Sequence, residues 1–259
     1  MSLNIALVGN PNCGKTTLFN NLTGSSQYVG NWPGVTVEKK EGTLKKNKNV
    51  KITDLPGIFS LSPFTSEEIV SRDFLLKEQP DSIINIIDGT NLERNLYLTT
   101  QLMEMGIPIV LAINMIDIVK KNNDDINISK LSQAMNCKAI EISALKSVNN
   151  TELAQIATDI ASNNQNIHTI PKYSENLEKY LTKITNLIFS DKLINQSNIR
   201  WYTIKVFERD KDVMNQLKLN NDITCEIEGI IKTAEKEFDD DSQSIVINER
   251  YNYIAKLLP

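Results

Sequence analysis

Eight residues, Gly9 to Thr16 (GNPNCGKT), restrict this chain more than any other stretch of it. They satisfy G-x-x-x-x-G-K-[ST], in which successive backbone N–H groups form a concave nest for phosphate. Both flanks suit such a loop. LNIALV (Leu3 to Val8) is an apolar run fit for a buried parallel strand, and TTLFNNLT carries Leu18, Phe19 and Leu22 at helical spacing. A helix that starts there aims its first N–H groups and the positive end of its dipole at the same phosphates. Gly9 and Gly14 permit backbone angles and a close approach that a Cβ would forbid. Lys15 is expected to reach the β- and γ-phosphates, and the Thr16 hydroxyl to ligate Mg²⁺.

Composition matters here for what it excludes. The chain has 259 residues, 41% hydrophobic and 23% charged, ordinary for a globular protein and enough for one large or two modest domains. Its 28 Lys and Arg against 32 Asp and Glu leave a net charge of −4. The deficit is shared evenly: 15 against 17 before residue 166 and 13 against 15 after it. No basic half exists, so no nucleic-acid partner is expected. Cys13, Cys137 and Cys225 lie far apart without metal-ligand spacing, which fits a reducing compartment. His168 stands in a polar stretch and reads as a solvated linker residue. No apolar run reaches the roughly 20 residues of a membrane span, and no signal peptide precedes the first strand, so the chain is expected to be soluble.

SSQYVGNWPGVT (Ser25 to Thr36) reads by composition as a mobile loop. VTVEKKEGTL and NVKITDLPG read as two strands joined by a polar turn around Lys46 to Asn49, pairing antiparallel at a sheet edge. TSEEIVSRDFLLKE is a helix capped by Thr65 or Ser66, with Ile69, Val70, Phe74 and Leu75 on one face. SIINIIDG is a buried strand, NLERNLYLTTQLMEMG a helix closed by Gly106, and IPIVLAINM another buried strand. A helix around Ile128 to Met135, the strand AIEIS ending at Ser143, and the helix TELAQIATDIAS complete the alternation. Such alternation makes a doubly wound α/β fold. We expect a mostly parallel six-stranded sheet with one antiparallel edge strand, binding ligand at its strand C-terminal ends. The expected domains are residues 1–165 and 166–259.

The second domain is predicted to be a small all-α bundle. SENLEKYLTKITNLIF places Leu177, Leu181, Ile184 and Ile188 on one helical stripe. Further helices are expected in NIRWYTIKVFER, VMNQLK, TCEIEGIIKTAEKEF and SIVINERYNYIAKLL. Trp201, Tyr202 and Phe207 are read as core packing, and Asp239 to Asp241 as a solvated loop.

Further motifs fall at strand ends in the first domain. Thr36 has a hydroxyl that can ligate Mg²⁺ and sense a γ-phosphate. DLPG (Asp54 to Gly57) offers a carboxylate for Mg²⁺ and a Gly57 N–H for the γ-phosphate. In NMID (Asn114 to Asp117) the Asp117 carboxylate can accept hydrogen bonds from guanine N1–H and its exocyclic amine, a donor pair adenine lacks. SALK (Ser143 to Lys146) can donate a backbone N–H to guanine O6. Ile58 follows DLPG where Ras-like enzymes place a water-orienting Gln, and residues 25–37 contain no arginine.

The run GNWPGVTVEKKEG, then DLPGIFSL, then NMID, resembles the cytosolic GTPase domain of the FeoB family of bacterial ferrous-iron transporters, within the translation-factor-related small GTPases. RWYTIKVFE and INERYNYIAKL are similar to that family's helical domain, which favours GDP retention. The resemblance implies a P-loop GTPase fold, slow Mg²⁺-dependent hydrolysis of GTP to GDP, and a location at the cytoplasmic face of the bacterial cell membrane. Its implied partner is a membrane-spanning part of the same polypeptide, with self-association left open. The residues implied to face the nucleotide are Gly9, Asn10, Pro11, Asn12, Cys13, Gly14, Lys15, Thr16 and Thr17 of the first loop, with Gly34, Val35 and Thr36. To these it adds Asp54, Leu55, Pro56, Gly57, Asn114, Met115, Asp117, Ser143, Ala144 and Leu145. Mg²⁺ falls to Thr16, Thr36 and Asp54. A potassium ion, held by Asn12 and carbonyls of the Gly30–Trp32 segment, is the implied substitute for the missing arginine, so Asn12, Lys15, Thr36 and Gly57 carry the catalysis. Cys13 stands where the family commonly has Ser. Two other readings stay open: a nucleotide-sensing switch in which turnover is incidental, and a soluble GTPase of ribosome assembly or RNA modification.

Overall fold

The computed structural model describes residues 2–24, 27–62, 64–163, 170–191 and 198–258. His168, most of the expected linker and the expected boundary between 165 and 166 lie outside them. The chain divides into two units: Met1–Met103 with Ile107–Thr169, and Glu104–Gly106 with Ile170–Pro259.

In the first unit a seven-stranded sheet runs in the order β2-β3-β4-β1-β5-β6-β7. Five strands are parallel: β4 (Asn47–Asp54), β1 (Leu3–Gly9), β5 (Ser82–Asp88), β6 (Ile109–Asn114) and β7 (Lys138–Glu141). The middle three are apolar almost throughout, as strands covered on both faces must be. Asn85, a polar residue in the middle of β5, is satisfied: it donates to the Val8 carbonyl at 3.3 Å and accepts from Thr99 Oγ1 at 2.6 Å. Helix α1 (Lys15–Thr23) buries Leu18, Phe19 and Leu22 in a core shared with Leu153, Ala157 and Ile160 of α6 (Asn150–Asn163).

The fold class is the expected one, with a strand more than expected. β3 (Glu38–Leu44) pairs antiparallel with β4, and β2 (Gln27–Asn31) pairs antiparallel with β3, so the sheet has seven strands and its antiparallel edge has two. The reason is local: QYVGN borrows its ladder partners from β3 and shows no hydrophobic alternation of its own. The hairpin between β3 and β4 also turns earlier than expected, at Lys45 and Lys46, with a register shift at Thr43/Leu44.

Helices α2 (Ser66–Lys77), α3 (Leu92–Glu104) and α5 (Ile128–Met135) fall where the spacing puts them. Thr65 is the cap of α2, in a reciprocal box with Glu68. A short helix α4 (Ile116–Lys121) follows β6 and was not expected; it starts from Met115 at φ 62°, with no capping side chain to announce it.

The second unit carries α7 (Glu175–Asp191), α8 (Ile199–Phe207), α9 (Lys211–Leu217), α10 (Asn221–Phe238) and α11 (Ser242–Leu257). Its core includes the predicted stripe Leu177, Leu181, Ile184 and Ile188 together with Trp201, Phe207, Ile231 and Ile254. Tyr202 is half-buried, and its hydroxyl accepts from Gln216. Asp241 is more than a solvated loop residue, for its carboxylate caps α11 by accepting from the Gln243 and Ser244 N–H groups. Inside this unit Arg250, 1% exposed, is bound in a fork by Glu104 at 2.9 Å and also by Glu208. Burial works against charge at Glu208, yet Arg250 and Lys205 hold its carboxyl below the usual range. Among the described residues no helix is long and apolar enough to cross a membrane.

Candidate functional site

The loop after β1 is built for close approach. Asn12 and Gly14 both have positive φ, 65° and 92°, which turns the backbone back on itself before α1 begins. A Cβ on Gly14 would lie 2.3 Å from Asn114 Nδ2. Gly14 caps α1 without a side-chain hydrogen bond, so the first N–H groups of the helix face outward for an anion. Asn10, Pro11, Asn12, Gly14, Lys15, Thr16, Thr17 and Gly57 line a cavity of about 460 Å³. Beside it, Lys15, Thr16, Asp54, Leu55, Pro56 and Gly57 line a second cavity of about 200 Å³ with Val37, Glu38 and Lys40.

Lys15 Nζ lies 2.6 Å from Asp54 Oδ1, and both side chains are almost fully buried. Burial pushes the Asp54 carboxyl above its usual range, against the pull of Lys15. The Thr16 hydroxyl and the Asp54 carboxylate in one cavity wall are hard oxygen donors of the kind Mg²⁺ takes. Leu55 and Ile58 are buried, at 0% and 2% exposure, and their N–H groups donate to the carbonyls of Leu7 and Gly9. Ile58 therefore anchors the DLPG turn and offers nothing to a water molecule.

Three strand ends away, Asn114 joins two loops. Its amide donates to the Cys13 carbonyl at 2.7 Å, and its oxygen accepts the Ala144 N–H at 2.9 Å. The Ala144 carbonyl in turn accepts from Asn21 Nδ2 of α1 at 2.6 Å. Asp117 lies on α4 with Lys146 Nζ at 3.0 Å, and Lys146 and Ser143 together hold its carboxyl below the usual range. Leu145 stands out at 82% exposure.

The structure does not assemble every expected residue. Thr36 is exposed and lines neither cavity, although its neighbour Val37 lines one. Gly34, at φ 78°, and Val35 form a turn closed by a Val35 N–H bond to the Trp32 carbonyl. Gly30 is held in the β2–β3 ladder opposite Lys39, and the Trp32 ring packs edge-on against Phe74 at 5.5 Å. Neither lines the cavity that contains Asn12. Cys13 belongs to the hydrophobic core, and burial raises its thiol to about 12, so it can meet a ligand only through its backbone. Sequence reasoning missed Val37, Glu38 and Lys40. Alternation along β3 could have found the last, since Lys40 stands in register with Asp54.

A P-loop after β1, a carboxylate at the end of β4 and joined loops after β6 and β7, all at the C-terminal ends of the parallel strands, belong to the P-loop GTPases. The particular family is also shown. Residues 3–157 match the family model for ferrous iron transport protein B, and residues 173–259 match that of the FeoB cytosolic helical domain. The chain belongs to the FeoB family. It is 41% identical over 261 residues to the Fe(2+) transporter FeoB of Methanocaldococcus jannaschii, covering 99% of this chain and 38% of that protein. Against Fe(2+) transporter FeoB of Escherichia coli K12 the identity is 36%, covering 98% of this chain and 33% of the other. The chain thus spans 33% to 38% of the length of these relatives. Among solved structures, NFeoB from S. thermophilus bound to GDP.AlF4- and K+ is 46% identical with a TM-score of 0.90, covering 98% of each chain. A mutant of S. thermophilus NFeoB bound to mGDP superposes at 0.96, covering 99% of this chain and 98% of its own.

Proposed function

We propose that this chain binds GTP and hydrolyses it to GDP and phosphate, and that its nucleotide state regulates or drives ferrous-iron uptake through a membrane part of a longer polypeptide, at the cytoplasmic face of the membrane. The observation that carries the reading is Asn114. By tying the Cys13 carbonyl to the Ala144 N–H it makes the phosphate cradle and the base loops one site. In this reading the loop from Gly9 to Thr17 cradles the phosphates through the backbone N–H groups of its residues other than Pro11, and Lys15 neutralises the β- and γ-phosphates. Asp117 accepts from guanine, and the loop of Ser143, Ala144 and Leu145 faces guanine O6. Gly57 donates its N–H to the γ-phosphate as a water displaces the GDP oxygen from it. Residues 1–165 act as the GTPase domain and 166–259 as the helical domain that favours GDP retention.

Thr16 and Asp54 would hold Mg²⁺, which neutralises phosphate charge when bound. Thr36 would join them once the Trp32–Val37 turn opens, since it is exposed and lines neither cavity. Asn12 is the residue proposed for potassium, because it lines the cavity and the loop carries no arginine. Gly30 and Trp32 line neither cavity, so their carbonyls would have to move toward Asn12 to contribute. The K+ in the solved S. thermophilus NFeoB structure supports this ion over others. The test is GTP hydrolysis in potassium against sodium at equal ionic strength. We expect faster turnover in potassium, and Asn12→Ala should erase the difference while GTP still binds. Equal rates in the two salts would refute the ion.

A further inference from the structure

Ala144 is gripped at both of its backbone polar groups. Its N–H is held by Asn114, and its carbonyl accepts from Asn21 Nδ2 at 2.6 Å, a bond between residues 123 apart in sequence. The residue is 1% exposed, whereas Leu145 beside it is 82% exposed. The base loop is thus an exposed tip rooted in two buried residues, Ser143 at 2% and Ala144 at 1% exposure. The other donor to that carbonyl is the Ser147 N–H, at a longer 3.3 Å. Asn21 sits on α1, the helix that begins with Lys15 and Thr16. No base or phosphate motif includes it.

We infer that Asn21 is a positioning residue for guanine: it braces the base loop against the phosphate-loop helix and so slows release of GDP. The argument rests on the proposed guanine pocket and adds a residue to it. A loop amide can donate to guanine O6 only while the loop keeps its distance from the base, and hydrogen bonds weaken steeply as they lengthen or bend. Asn114 holds the Ala144 N–H, and from within the loop the Ala144 carbonyl receives the longer Ser147 bond. Asn21 adds a shorter one, and because its anchor is α1, movement of the base loop is resisted by the same helix that faces the phosphates. Its neighbour Asn20 cannot substitute, for it faces the other way and accepts from Gln27.

The test uses the intact chain and the dissociation rate of a fluorescent GDP analogue. Asn21→Asp keeps the shape and removes the donor, setting a carboxylate against the Ala144 carbonyl; Asn21→Ala removes the side chain. Both should release GDP about tenfold faster, the scale of one hydrogen bond lost. The same variants are then measured with 2-aminopurine riboside diphosphate, which lacks O6. If the residue acts through the loop amide, its loss should leave that ligand's affinity within about twofold. Unchanged GDP release in Asn21→Asp, with an unchanged melting temperature, overturns the inference. Equal weakening of both ligands overturns it too, by reducing Asn21 to a general structural contact. Asp117→Asn, run in parallel, separates the two levels. If it weakens GDP while the Asn21 variants do not, only the brace fails. If neither matters, the guanine pocket itself is wrong.

Discussion

Asp117 is the residue on which base selection should turn. Its carboxylate is about a quarter exposed, and Lys146 and Ser143 hold it below the usual range, so both oxygens can accept. Asp117→Asn removes one acceptor and leaves a guanine donor unmatched, which should weaken GTP binding by about 1.5–3 kcal/mol. Xanthosine triphosphate, with a carbonyl where guanine has its amine, should recover part of the loss; competition binding reads both. The residues proposed for such single-atom roles, Lys15, Thr16, Asp54, Asn114 and Asp117, stood out in the sequence because each sits in a motif whose chemistry fixes its type. Those that were not legible work through the fold. Asn21 is an ordinary polar position on an amphipathic helix, and only the partner 123 residues away gives it meaning. Cys13 was placed among the nucleotide contacts by its position in the loop, while its side chain proves to belong to the core.

Elements divide in the same way. Strands β1, β5 and β6 are apolar runs bounded by polar residues, and helices such as α5 and α10 carry their own stripe, so composition and period disclosed them. β2 could not be read, because an edge strand with Gly and Asn in it is stabilised by its neighbour. One element can be tested at its first residue. Thr65 Oγ1 accepts the Glu68 N–H at 3.2 Å, and Glu68 returns the bond to the Thr65 N–H while also accepting from Ser60 in the turn that follows DLPG. Thr65→Ala should cost about 1 kcal/mol. That corresponds to a fall of about 2–4 °C in the thermal midpoint of the unit, measurable by calorimetry.

At the scale of the whole molecule, the helical unit should lose stability in acid. In the helical unit, burial opposes ionisation of Glu178, but the Arg200 fork at 2.6 and 2.7 Å brings its carboxyl below the usual range, and Arg250 and Lys205 do the same for Glu208. A carboxyl whose folded pKa lies below its unfolded one stabilises the fold above the unfolded value, about 4.3. That contribution is lost as the pH falls through the folded value. The melting transition of the helical unit should therefore drop steeply below about pH 4.5. Arg200→Met should flatten the dependence in scans from pH 7 to 3; an unchanged profile would remove Glu178 from the account. That a helical unit follows the sheet was legible from patterning; its buried ion network was not, since pairs such as Glu104 with Arg250 lie 146 residues apart.

Lys15 and Asp54, 2.6 Å apart, make the lysine's charge a contested resource. An incoming phosphate must take Lys15 from Asp54, and a divalent cation must take Asp54 from Lys15. Each ligand removes the competitor of the other, so metal and nucleotide should bind with positive heterotropic cooperativity beyond any bond they form directly. Thermodynamic linkage makes the effect mutual. Whatever factor Mg²⁺ adds to nucleotide affinity, nucleotide adds to Mg²⁺ affinity, and chelating the metal should hand the lysine back to the aspartate and loosen the nucleotide.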